Sequence, residues 1–153
     1  MYVAILSIIC LAITNILVSF SKTYHTVSAL SVVDRSGIDV MERMTRDIRG
    51  ATSVDVATST FVSSPGVLSL ITTSGAVSTT TKFYVQSGVL KVDVNGSYFG
   101  PLTLSNTSVT SLIFRLLDNG TTTAVKIDLT LQGTVGTTTK IKNYHSTVVL
   151  RGQ

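Results

Sequence analysis

The chain opens with an unbroken apolar segment. No charged residue occurs from Tyr2 to Phe20, and the run consists mainly of Ile, Leu, Val and Ala. At about 1.5 Å of rise per residue, a helix of this length spans close to the roughly 30 Å hydrocarbon core of a bilayer. A buried helix of a soluble protein usually keeps one polar face, and this run has none. It also lacks the basic region and small-residue cleavage site of a secretory signal peptide. We therefore expect residues 1–20 to form the transmembrane part of a helix.

The pattern after Phe20 becomes amphipathic without a break, since no proline interrupts the chain before Arg49 and only Gly37 weakens a helix there. Apolar residues recur at spacings of three and four, which places them on one helix face: Met41, Met44, Ile48 and Ala51. Charged residues four apart are expected to pair on the other faces: Asp39 with Arg43, Glu42 with Arg46, and Arg43 with Asp47. We expect residues 21–53 to continue the helix and its apolar face to pack on the protein's own sheet. Gly50 is an alternative end.

The remaining residues, 54–153, alternate between β-rich runs and turn residues. Seven strands are predicted: Val67–Thr72, Thr80–Gln86, Val89–Val94, Leu102–Leu104, Ser111–Leu117, Ala124–Leu131 and Thr139–Leu150. The Asn95-Gly96 and Asn119-Gly120 pairs favour tight hairpins, because both tolerate positive φ angles. One long helix followed by an antiparallel meander predicts an α+β fold, with the helix packed on an antiparallel sheet.

Charge and composition refine this interpretation. Charged residues make up 13% of the chain and the net charge is +4. The excess arises after residue 60, where seven Lys and Arg face three Asp, whereas residues 21–59 balance at five against five. The cations are scattered singly, which argues against dedicated nucleic-acid binding, whereas a basic surface could favour acidic partners or lipid headgroups. The sequons at Asn95, Asn106 and Asn119 fall in predicted turns of a Thr-rich region and are interpreted as chance matches.

No catalytic constellation emerges from the residue pattern. His25 and His145 lie far apart in sequence, and Cys10, the single cysteine, lies inside the apolar segment. The helix carboxylates are predicted to pair with arginines, and no phosphate-binding loop or nucleophile elbow is present. We expect no catalytic residue, cofactor, metal site or small-molecule substrate. A calcium site at the remaining aspartates stays open, because loop oxygen ligands leave little sequence pattern: Asp93, Asp118 and Asp128.

Three segments add a resemblance to a known family. Residues 41–53 (MERMTRDIRGATS) resemble the end of the first helix in type IV pilin-like proteins, especially J-type minor pseudopilins of type II secretion and PilW-like minor pilins. Residues 145–152 (HSTVVLRG) are similar to the last strand of that group, and residues 102–105 through 111–114 also resemble it. The family's basic leader, Gly cleavage position and Phe-Thr-Leu-Ile-Glu start are missing. Our hypothesis is that Met1 is an internal methionine or that the chain is truncated.

The resemblance implies a structural role rather than catalysis. A minor pilin-like subunit would be held in the bacterial inner membrane by its apolar helix, with the β domain outside the cytoplasm. It would then join other pilin-like subunits in a filament and help to initiate assembly at the tip. Residues of the helix would lie first in the membrane and then in the filament core: Tyr2, Ala4, Ser7, Ala12 and Phe20. The alternative is a membrane-anchored surface adhesin with a β-rich binding domain.

Overall fold

The structure, a computed structural model, describes residues 2–151. Met1, Gly152 and Gln153, which bound the first and last predicted segments, lie outside the described residues. One helix, α1 (Tyr2–Gly50), is followed by eight strands. The helix contacts antiparallel sheets, so the predicted α+β class is confirmed.

Helix α1 is continuous over 49 residues and ends at Gly50, before the predicted boundary at residue 53. The backbone N–H of Ala51 still bonds to the carbonyl of Ile48 at 3.2 Å, but the next residues are taken into the sheet. Ser53 pairs with Ile71 at the start of the first strand. The helix therefore ends where strand pairing offers the backbone new hydrogen-bond partners.

The strands form two antiparallel sheets rather than one. The first has five strands in the order β1-β2-β3-β4-β5, and the second has three in the order β6-β7-β8. Their bounds are β1 Ser53–Val54, β2 Leu68–Ser74, β3 Val77–Gln86, β4 Val89–Val94, β5 Ser97–Pro101, β6 Thr107–Asp118, β7 Thr123–Val135 and β8 Thr138–Val149. Asn95 and Gly96 join β4 to β5 with φ values of 52° and 77°, as a tight Asn-Gly hairpin requires.

The prediction of a strand at Leu102–Leu104 is wrong. On the side away from β3, β4 pairs with β5, which ends at Pro101. Neither β5 nor the two-residue β1 was predicted. Beyond Pro101, Leu102 N donates to the carbonyl of Leu90 at 2.8 Å, but Leu90 N donates to the side-chain hydroxyl of Thr103 at 3.3 Å instead of to a backbone carbonyl. The segment Leu102–Leu104 therefore contacts β4 partly through the Thr103 side chain and does not form a regular strand.

The two sheets are joined by irregular backbone pairing. The N–H groups of Val62 and Gly66 donate to the carbonyls of Phe114 and Leu112, so an irregular segment covers the outer edge of β6. Side chains from both sheets then share one apolar core with the second half of α1. The helix contacts β7 and β8 most extensively. Its first buried residue is Ala29, so the core involves only the later part of the helix.

Candidate assembly surface

The first part of α1 has no cover from the rest of the protein. Every described residue from Tyr2 to Tyr24 is exposed, with Tyr2 at 91% and Phe20 at 74%. The residues predicted for the membrane or filament core all lie on this uncovered segment: Tyr2, Ala4, Ser7, Ala12 and Phe20. An apolar surface of this size is a contact site for lipid or for other proteins.

Two hydroxyl side chains inside the apolar segment bond to the helix backbone. Ser7 Oγ donates to the carbonyl of Val3 at 2.8 Å, and Thr14 Oγ1 donates to the carbonyl of Cys10 at 2.9 Å. These bonds remove the cost of placing a free hydroxyl donor in hydrocarbon. By length and composition, α1 is able to cross a bilayer; its most apolar 18-residue window has a mean hydropathy of 2.5.

The second part of α1 packs on the β domain through an apolar face. The structure places Met44, Ile48 and Ala51 in the core with no exposed surface, and Met41 is half-buried against it. Sequence reasoning missed the N-terminal extension of this face, which consists of Ala29, Val33, Ser36, Gly37 and Val40. The same spacing of three and four, continued backwards from Met44, was the signal that would have found them.

Gly37 is the point of closest approach between helix and sheet. The ring of Tyr144, on β8, lies directly over it, and a Cβ at position 37 would stand 2.2 Å from the ring carbon Cζ. The Tyr144 hydroxyl lies 3.1 Å from the carbonyl of Val33 and 3.0 Å from Oδ1 of Asp34. The glycine that weakens the helix locally therefore makes room for the aromatic ring.

Charge reinforces this contact. Lys142 Nζ donates to Oδ1 of Asp34, and the hydrogen bonds from Lys142 and Tyr144 lower the pKa of that carboxyl. Burial, followed by the hydrogen bond to Asp34, raises the pKa of Tyr144 to about 12. The hydroxyl thus stays protonated and remains a donor to the helix at neutral pH.

A buried hydroxyl pair fixes the helix at Ser36, the residue before Gly37. Ser36 Oγ and Thr107 Oγ1 lie 3.1 Å apart, and Ser36 Oγ accepts from Leu104 N at 3.3 Å. Thr107 Oγ1 in turn donates to the carbonyl of Leu104 at 2.8 Å. Because each buried polar group has a partner, this cluster gives the interface a defined position at little desolvation cost.

Two of the three ion pairs predicted on the helix form. Glu42 pairs with Arg46 at 3.2 Å and Arg43 pairs with Asp47 at 2.8 Å, as expected. The predicted pair of Asp39 with Arg43 does not form: Arg43 bonds Asp47 and lies over the ring of Phe99, 5.6 Å from its centroid. Arg43 had two predicted partners and pairs with Asp47, and its guanidinium also has the ring of Phe99, on β5, as a neighbour that sequence spacing cannot place.

An open groove borders the docked part of the helix. It runs between α1 and β8, which is an edge strand paired only with β7. Its lining combines apolar and polar side chains: Ile38, Met41, Glu42, Thr45, Arg46, Arg49, Tyr144, His145 and Ser146. Ile38 is 60% exposed although it lies between buried turns, so the groove continues the uncovered helix surface into the β domain.

The three aspartates considered for a calcium site lie in separate surroundings. Asp128 faces His145 Nδ1 at 2.8 Å, with Arg115 and Lys126 farther off, and the His145 hydrogen bond leads in lowering its pKa. Asp93 accepts from Tyr84, and Asp118 accepts from the backbone N–H of Gly120. Within residues 2–151, no three His, Cys, Asp or Glu side chains group as metal ligands do.

No family model, curated protein or solved structure matches this chain. The architecture itself is pilin-like: a long apolar N-terminal helix packed by its second half on antiparallel sheets.

Proposed function

We propose that this chain is a structural minor subunit of a type IV pilus-like filament, of the type II secretion pseudopilus class, and that it aids assembly at the tip. The observation that supports this most directly is the division of one continuous helix. Residues 2–24 are uncovered and apolar, whereas the interface from Ala29 to Ala51 is fixed to the β domain. A rigid rod that carries a folded domain at one end suits a filament with a helical core.

The proposed mechanism is mechanical. The apolar segment anchors the subunit in the bacterial cell membrane as a single span, with the β domain on the extracytoplasmic side. On assembly it exchanges lipid for the helices of other pilin-like subunits. Because lipid and helix are equally apolar, close packing rather than hydrophobic burial drives this step. Small residues permit the close approach of neighbouring helices: Ala4, Ser7 and Ala12.

A small-to-large substitution separates anchoring from assembly. Ala12→Leu keeps the segment apolar, so the full chain is expected to remain in the membrane fraction after carbonate extraction. It fills the space that a neighbouring helix would occupy, so co-purification with pilin-like proteins expressed from the same genome is expected to fall. Ile13→Leu, a volume-conserving change at the adjacent position, is the matched control and retains both properties.

Two outcomes count against the proposal. Recovery of the parent chain in the soluble fraction, without detergent or partners, removes the anchor. Membrane insertion with no pilin-like protein bound to the parent, under conditions in which those proteins bind one another, instead favours the alternative of an anchored adhesin.

A further inference from the structure

The β7–β8 hairpin reaches down the helix towards the apolar segment. Gly133 packs on Ala29 and Val33, where an added Cβ would lie 3.3 Å from the carbonyl oxygen of Ala29 and 2.3 Å from a methyl carbon of Val33. Gly136, in the turn of the same hairpin, packs on His25, and its Cβ would lie 3.5 Å from Nδ1. The turn is therefore level with His25.

That level coincides with lipid headgroups when the apolar segment spans a bilayer, a premise taken from the proposed function. His25 follows Phe20 by five residues, which is a rise of about 7.5 Å along a helix. The headgroup layer on each side of the hydrocarbon core is roughly 5–8 Å deep. The turn at Gly136 consequently lies at the outer boundary of the membrane.

The charges at this end of the molecule have one sign. The sequence has no Asp or Glu before Asp34 and none after Asp128. The charge of Asp34 is balanced by its ion pair with Lys142. Lys22 and Lys140 form no ion pair within the described residues. Lys22 lies at the headgroup level, whereas Lys140 pairs with Gly133, which packs on Ala29 and Val33, a rise of about 6–12 Å beyond His25. A membrane surface that contains anionic lipid has a negative potential that extends over about a Debye length of 8–10 Å, and it attracts both unpaired lysines.

Uncharged groups at the same level also suit a headgroup layer. Tyr24 is 66% exposed and lies edge-on to His25, with ring centroids 6.0 Å apart. Tyrosine is enriched at membrane–water interfaces, where its ring and hydroxyl meet environments that match them. The exposed Thr137, next to Gly136, adds a hydroxyl donor in the turn.

We infer that this membrane-proximal collar, consisting of Lys22, Tyr24, His25, Thr137 and Lys140, binds anionic phospholipid headgroups. The lysines supply the attraction to the lipid phosphates, and the hairpin is held against the membrane surface. Docking of the hairpin would set the orientation of the β domain before the subunit leaves the bilayer.

The test uses the full chain in phosphatidylcholine vesicles with a rising fraction of phosphatidylglycerol. The protein contains no tryptophan, so Thr137→Trp provides a single fluorescent reporter in the turn. Its emission is expected to shift to the blue as phosphatidylglycerol rises and to return at high salt. Lys22→Gln or Lys140→Gln is expected to weaken the lipid preference about fivefold each, equivalent to about 1 kcal/mol.

Matched controls isolate the collar. Lys82→Gln removes the same charge from β3 and is expected to leave the titration unchanged. Thr121→Trp places the reporter in the turn at the opposite end of the three-stranded sheet, and its emission is expected not to respond to lipid.

Two results would overturn the inference. If the Thr137→Trp variant enters vesicles but its emission is the same in neutral and anionic lipid, the protein has no collar for anionic lipid. A shift that occurs only after a second pilin-like subunit is added assigns the surface to protein contacts instead. Failure of the chain to enter vesicles is a distinct result, since it rejects the anchor as well.

Discussion

Replacing Gly37 by alanine sets helix propensity against tertiary packing. Alanine in place of glycine inside a helix is worth about 1 kcal/mol in favour of folding. At this position, however, the new Cβ would stand 2.2 Å from Cζ, 2.5 Å from Cε2 and 2.6 Å from the hydroxyl oxygen of Tyr144, well inside ordinary contact at 3.4–4 Å. The ring must therefore move by more than 1 Å, judged from the same distances.

The loss of packing and hydrogen bonding is expected to exceed the gain in helix propensity. Overpacking costs about 1–3 kcal/mol, and displacing the hydroxyl from Val33 and Asp34 costs about 1–2 kcal/mol more. After the gain of about 1 kcal/mol in helix propensity, Gly37→Ala is expected to lower the free energy of unfolding by about 1–4 kcal/mol. Urea denaturation of a fragment that begins at Lys22, followed by circular dichroism, measures this, because every buried described residue lies at Ala29 or beyond.

Two variants make the result decisive. Gly50→Ala meets nothing within 4 Å, so its stability is expected to be unchanged or slightly higher. In a Tyr144→Ala background the obstructing ring is gone, and Gly37→Ala is expected to become stabilising, so the two changes are non-additive. An increase in stability on Gly37→Ala in the otherwise unaltered fragment would refute the close contact between helix and sheet.

The same interface and the apolar segment give three further expectations. The pKa of Tyr144 is raised from 10.0 to about 12, so the contribution of this residue to stability is complete below pH 10 and is lost as the pH rises through 12. Subtracting the tyrosinate absorbance of the Tyr144→Phe variant from that of the parent is expected to give a titration centred near 12. Ile48→Asp is expected to cost several kcal/mol of stability in thermal melts, since an unpaired charge would enter the core. The control Asp39→Ala, on the exposed side of the helix, is expected to cost about 0.5 kcal/mol or less. If Ile48→Asp melts like the parent but no longer pairs with other subunits, this face is an assembly surface. The fragment that begins at Lys22 is expected to be soluble while the full chain sediments with membranes, and detergent-free solubility of both would contradict this.

The positions of the elements were predictable where one local rule dominated. The apolar run from Tyr2 to Phe20 has no charge or proline and is too long for an ordinary strand, so it favours a helix. Strand β4 lies at the predicted Val89–Val94 because alternation and two strong turns bound it. The short β1 and β5 were missed because two to five residues carry too little periodicity, and their pairing partners decide them. Asp39 has no ion pair among the described residues because Arg43, for which the sequence offered two partners, pairs with Asp47.

By itself, the sequence determined the long helix, its division into an apolar and an amphipathic half, and the antiparallel β domain, since hydrophobic periodicity is local information. Only the tertiary structure decided that the strands divide into two sheets, that Gly37 receives the Tyr144 ring, and that the β7–β8 turn lies beside His25. Those contacts join residues about 100 positions apart. Their geometry depends on how whole elements pack, which no short sequence window contains.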